Sequence, residues 1–340
     1  YYYLNDMQFK FVVSKLANFY FFIANLSEWH FSCRKDYNEE WMKIIGKLTP
    51  REKILLEKFR KISQKYNFSS PYLQKTKYLG KYFYLLPQNI CWQQLKKCVT
   101  ASEFETIRET FDIFRPKFEK IWRKSQTQGL KTFKQELRKN KWQNLFQDLE
   151  MFLGKGPEIL NVIVVFSPLK GSGVTAAGNA MLGYQNLILE LPALKKNSWE
   201  LNYSICILAH EVAHVLFEKN NGRKLIRDAL KDEKMPHRFK NCPLTTENLI
   251  NEIVAESLVP YGYLAQKYSD FKLIHCLFNP LAESYKEFQN FQRTHQINYY
   301  RYFIRYIVWI LMPLTIIYLN NSKKIEKDYI QKIVQTIKKG

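Results

Sequence analysis

The stretch Leu201–Phe217 constrains this chain more than any other, because it asks to be a buried helix and yet carries His210, Glu211 and His214. Leu201, Ile205, Leu208, Val212 and Val215 recur at alternating four- and three-residue spacing and form one apolar stripe. Cys206, Ile207 and Phe217 flank the histidines, so the helix is apolar nearly all round and belongs inside the protein, its histidine face towards a cleft. Asn197 with Glu200 gives a capping signature at its start, and Asn221-Gly222 gives a stop at its end.

Histidines one helical turn apart project from one face and can hold a single metal ion. Glu211, beside them, is placed to take a proton from a water whose pKa a metal has lowered, which is the chemistry of water attack on a polarised carbonyl. The run H-E-V-A-H therefore predicts a hydrolase with one Zn2+ per chain. Catalytic zinc takes a third protein ligand and keeps a position open for water. A metzincin continuation would put Gly and His where Phe217 and Asn220 stand, so that route is closed.

A carboxylate from a later helix is the other route. Glu252 and Glu256 lie one turn apart, among Ile253, Val254, Ala255, Leu258 and Val259, and a buried carboxylate pair needs a cation. Pro243 and Thr245-Thr246 mark the start of that helix, with Glu247 in its first turn, and Pro260 marks its end. His237, in the loop Met235-Pro236-His237-Arg238, is the competing third ligand; a lone loop histidine beside basic residues is more often solvent-exposed, which favours Glu252.

H-E-x-x-H followed by a helix bearing N-E-x-x-x-E resembles the gluzincin group of metallopeptidases, over the segment from about Asn186 to Pro260. The resemblance implies His210, His214 and Glu252 as zinc ligands and Glu211 as general base. It also implies that Glu256, where Asp is more usual, orients a ligating histidine. A zincin-like catalytic core and a peptide or protein substrate follow from it as expectations. In zincins a strand ahead of the motif helix forms the cleft's upper edge and pairs with extended peptide, and Leu187–Leu191 holds that place in sequence. Gluzincins usually present a Tyr or His to the oxyanion; His295, Tyr299, Tyr300 and Tyr302 are candidates by position only, and none is assigned.

Around this segment the chain reads as α+β and mostly α: a helical N-terminal region over 1–153, the zincin-like core over 154–260, and a helical C-terminal region over 261–340. Thr49-Pro50-Arg51-Glu52 opens a helix to about Tyr66, and Thr100 with Glu103 caps one bearing Phe104, Ile107, Phe111 and Phe114. Further helices are expected over Lys117–Ser125, Leu130–Phe152, Tyr261–Tyr268, Phe271–Phe278, Leu281–His295 and Tyr299–Leu319. Asn161–Phe166 and Asn186–Leu191 read as strands. Between them Lys170-Gly171-Ser172-Gly173 lacks the Gly-Lys-Ser/Thr ending of a phosphate-binding loop.

A formal charge of +21 draws acidic partners of any kind. The densest basic stretch, Arg115–Lys141, interleaves Phe118, Trp122 and Phe133 at helical spacing, which suits a core better than a stacking platform for nucleic acid. Nucleic-acid or membrane-surface binding around a structural or degenerate metal site is the alternative reading. Six cysteines without C-x-x-C pairing lean towards the cytoplasm, while a first residue Tyr1 leaves room for a removed signal peptide. The apolar run Tyr306–Leu319 is shorter than the roughly twenty residues a bilayer core asks for, so a buried helix is expected there and no convincing transmembrane segment.

Overall fold

A computed structural model describes residues 2–4, 7–30, 33–66, 78–122, 126–170, 177–179, 185–193, 199–231, 233, 244–269 and 299–339. The described chain is mostly helical with one small mixed sheet, α+β as expected. The sheet has strand order β1-β2-β3-β5-β4, with β1 Tyr2–Leu4, β2 Met7–Val13, β3 Ile159–Lys170, β4 Ala177–Asn179 and β5 Asn186–Ala193. Chain contacts divide the protein into two compact units, one made of 9–135 and 160–201 and the other of 2–8, 136–159 and 202–340.

In the first unit an aromatic core gathers α1 Lys15–Leu26, α2 Lys35–Ile45, α3 Pro50–Lys65, α4 Gly80–Leu85, α5 Gln88–Cys98 and α6 Ala101–Ile121. Phe83 and Phe111 stack with ring centroids 5.0 Å apart, and Phe19 stacks on Phe118 at 4.5 Å. Offset aromatic pairs of this kind bury large areas and add a specific geometry to the core. Both N-terminal caps read from the sequence are capping boxes: Thr49 and Glu52 exchange bonds at the head of α3, and Thr100 and Glu103 do so at the head of α6. Buried Asn18 ties α1 to the sheet, its Nδ2 donating to the Val164 carbonyl and its Oδ1 accepting from the Phe166 amide.

β5 runs parallel to β3 from Asn186 to Leu191 and antiparallel to β4 over Ile188–Glu190. Both of its edges are thus paired, which corrects the expectation that Leu187–Leu191 is a free upper edge; its backbone groups are already spent on neighbours. Other elements also differ from the sequence reading. Pro116 does not divide α6, because it lies on the exposed face, where water can satisfy the Asp112 carbonyl it leaves unbonded. Met7–Val13 is a strand, whose alternation of buried Met7 and Phe9 with less buried Gln8 and Lys10 is a period of two hidden in an aromatic run.

The second unit is helical: α7 Gln126–Leu137 ends at its boundary, and α8 Asn140–Leu153, α9 Trp199–Lys219, α10 Gly222–Leu230, α11 Thr246–Glu256, α12 Tyr263–Tyr268, α13 Tyr299–Asn320 and α14 Lys327–Lys339 follow. The helix expected over Leu130–Phe152 is therefore two, and α9 stops just before Asn221-Gly222 as expected, with a further helix beginning at Gly222. The expected helices over 271–278 and 281–295 lie outside the described residues. In α13 the stretch Phe303–Asn320 is long and apolar enough to cross a membrane by length and composition, and 47% of it is buried within the protein. One helix of this kind is weak evidence for a span, and no convincing transmembrane segment is present among the described residues.

Phe111→Ala should cost about 3–5 kcal/mol in chemical denaturation, whereas Ile54→Ala, on an exposed face of α3, should change stability by about 0.5 kcal/mol or less. Equal losses would contradict the core assignment. Burial raises the Glu103 carboxyl, but the Lys65 ammonium, the Thr100 cap and Tyr66 together lower it from 4.5 to about 2. Its folded-state value lies below its unfolded one, so its stabilising contribution is present above about pH 4.5 and is lost as pH falls towards 2. Glu103→Gln should flatten the stability profile across that window, measured by denaturation at a series of pH values.

Candidate metal centre

From Tyr203 to Glu218 every residue of α9 is buried, as an all-round apolar helix requires, and His210, Glu211, His214 and Glu218 are the imidazole and carboxyl side chains in that stretch. α11 starts where the sequence placed it, with the Thr245 hydroxyl accepting from the Asn248 amide, and it presents Asn251, Glu252 and Glu256. His210 Nε2 and His214 Nε2 stand 3.1 Å apart. Glu252 completes a triangle, its Oε2 3.5 Å from His210 Nε2 and its Oε1 3.5 Å from His214 Nε2. The two imidazoles are buried while the Glu252 side chain keeps 31% exposure, so the centre meets solvent on the carboxylate side.

The backs of both rings are engaged. His210 Nδ1 lies 3.0 Å from the Val259 carbonyl, which can only accept, so the ring carries its proton on Nδ1 and turns the Nε2 lone pair inward. His214 Nδ1 lies 3.1 Å from Asn251 Oδ1, and Asn251 Nδ2 donates to Glu218 Oε1 at 2.8 Å. Two inward lone pairs and a carboxylate within 3.5 Å of one another repel unless a cation or protons join them. Tetrahedral zinc with ligands at about 2.0–2.1 Å spaces its donors roughly 3.3–3.4 Å apart, which the triangle matches. The donor set fits the ion expected from the sequence.

Electrostatics record the same conflict. Burial by itself depresses the His210 imidazole, but the hydrogen bond and charge of Glu252, with Glu211 and Glu256 adding theirs, outweigh it and raise it to about 10. His214 is lowered by burial and raised more by Glu252, ending above its ordinary value. Burial lifts the Glu252 carboxyl, yet the charges and hydrogen bonds of the two histidines carry it far below the usual carboxylate range.

The residues singled out in the sequence divide as follows. His210, His214 and Glu252 come together, and Glu211 is buried beside them and adds its charge to both imidazoles. Glu256 reaches His210 as a charge, while the orienting contacts on the two Nδ1 atoms come from Val259 and Asn251. His237 and His295 lie outside the described residues, as do the side chains of Tyr299, Tyr300 and Tyr302. Phe118 and Phe133 of the basic stretch are core residues and offer no face for stacking.

Three contributors were missed. Asn251 adjoins the carboxylate ligand, Glu218 is an acid one turn after His214 in an otherwise apolar helix, and Val259 follows the end of α11. The first two were legible as polar residues where burial was expected. Val259 acts through its backbone, which leaves no mark in a sequence. The turn that presents it is tight: a Cβ on Gly262 would fall 1.9 Å from the Ser257 carbonyl oxygen, so only glycine fits. Nearby, the Tyr203 and Tyr261 hydroxyls lie 3.1 Å apart, and Arg305 donates to Tyr261 at 2.8 Å.

No protein-family model matches the chain, and neither a curated protein nor a solved structure is detectably similar to it.

Because Glu252 raises the His210 imidazole to about 10 without metal, loading the centre must expel that proton. Zinc titration at pH 7 should release about one proton or more per ion bound. Calorimetry in two buffers of different ionisation enthalpy measures it, and identical heats would mean that no proton is displaced.

Proposed function

We propose that the protein is a zinc-dependent metallohydrolase of the gluzincin type, with a zincin-like core, acting on peptide bonds. The observation that carries this reading is the 3.1–3.5 Å triangle of inward-facing donors on two helices, with Glu211 buried beside it. His210, His214 and Glu252 would hold the ion, and an ion held by three protein ligands supplies an open position, a lowered pKa for water and a polarised carbonyl. Glu211 takes the proton of the attacking water and delivers it to the departing amine, one carboxylate serving in both directions. Its neighbours make it suited to this: burial keeps solvent away, and it adjoins the ligands along the same helix, so its position is fixed by the backbone that fixes theirs. Glu256 adds negative charge near His210, which favours a bound cation.

Peptide hydrolysis rests on the motif and its resemblance, and hydrolysis as such rests on the ligand set together with the adjacent base. The alternative, a basic binding protein around a structural metal, loses support from the buried aromatics of 115–141 and from the part exposure of Glu252, since structural zinc sites are closed by four protein ligands.

Glu211→Gln is nearly isosteric and should leave folding and zinc content unchanged while lowering peptidase turnover by about a hundred- to ten-thousandfold. Glu252→Ala should instead lose most of the metal. Turnover is compared at equal zinc occupancy across a peptide library; a ratio near one for Glu211→Gln would remove it as the base, and undiminished metal in Glu252→Ala would remove it as a ligand.

A further inference from the structure

Behind His214 the hydrogen bonds run on to a charged pair. An asparagine amide can face either way, one end donating and the other accepting. Asn251 is buried and faces one way only: Nδ2 meets Glu218 Oε1 at 2.8 Å and Oδ1 meets His214 Nδ1 at 3.1 Å. A carboxylate oxygen only accepts, so it holds the amide in this sense, and the amide oxygen in turn requires the His214 proton on Nδ1 and the lone pair on Nε2. Glu218 stands one turn after His214 on α9, and Arg223 at the head of α10 grips the same oxygen, its Nε 2.5 Å away. The Arg223 guanidinium also lies 3.7 Å from Glu247 on α11.

We propose that Glu218, held by Arg223, is a positioning residue for the metal centre: it locks the Asn251 amide and so decides which nitrogen of His214 is offered to the metal. The inference rests on the metal reading of the centre but concerns residues that touch no metal. Its chemistry is directional. With Gln at 218 the one oxygen can still accept from both Arg223 and Asn251, as Oε1 does in the native chain, whereas with Leu at 218 no acceptor remains. The amide can then invert, place Nδ2 against His214 Nδ1 and move the ring proton to Nε2, where it points at His210 Nε2 and blocks coordination. With Asp at 251 both oxygens accept, so the sense of the His214 bond survives even though a second carboxylate now adjoins Glu218.

The test compares zinc affinity, by competition with a chromophoric chelator, and the visible spectrum of the cobalt-loaded protein in the native chain and three variants. Glu218→Leu and Asn251→Leu should weaken zinc about ten- to a hundredfold and change the cobalt spectrum, the range expected when an outer partner of a ligating histidine is lost. Asn251→Asp should keep affinity within a few-fold of native. A role in packing alone predicts the opposite ranking, with Asn251→Asp as harmful as Asn251→Leu, because it buries an added charge. That ranking, or a Glu218→Leu protein with native affinity, overturns the proposal. Should Glu218→Leu fail to fold by circular dichroism, the Asp and Leu pair at 251 decides alone. A native chain that takes up neither metal overturns the metal reading and this inference with it, an outcome distinct from a native chain that binds and variants that bind equally.

Discussion

Two imidazole lone pairs and a carboxylate pressed together between two helices cannot rest as they are, and the second unit is arranged around that conflict. The Nε2 atoms are 3.1 Å apart because their rings are pinned from behind by acceptors, one a backbone carbonyl and one a side-chain amide. Each acceptor removes the freedom by which a histidine could turn its lone pair away. The cost of assembling such a cluster is met only when positive charge enters it, as protons in the metal-free chain or as a metal ion. A structure that merely needed a stable core would fill this space with leucine.

The supports for those acceptors extend through the unit. Val259 follows α11, in a turn held by the Val259 and Leu258 amides bonding back to Ala255 and by the Ser257 hydroxyl, which donates to Val254 and meets Tyr329 of α14 at 3.1 Å. Thr315 of α13 approaches the same tyrosine hydroxyl at 2.8 Å. Asn251 depends on Glu218 and Arg223, so α10 enters the same scheme. Helices that bear no ligand thus contribute by fixing the orientation of those that do, which is how a site keeps its geometry when its ligands come from separate elements.

Much of this was legible because helix chemistry is local. The stripe of Leu201, Ile205, Leu208, Val212 and Val215 fixed the burial of α9, the caps at Thr49, Thr100 and Thr245 fixed three helix starts, and the one-turn spacing of His210 and His214 fixed their convergence. What failed to show was non-local. The pairing of β5 on both edges depends on β4, a three-residue strand whose sequence Ala-Gly-Asn carries no strand signal. The partner of His210 is a carbonyl, which every residue owns. The resemblance implied an orienting role for Glu256, whereas the oxygen facing the back of the His210 ring belongs to the backbone of the turn after α11.

The central claim is that one metal ion sits where three donors converge. Crystals of the zinc-loaded protein, measured on either side of the zinc absorption edge, test it directly. The account predicts one anomalous peak about 2.0–2.1 Å from the Nε2 atoms of His210 and His214 and about 2.0–2.2 Å from a Glu252 oxygen. A peak held by other residues, or electron density showing the histidine pair bridged to Glu252 with no metal after loading, would contradict it.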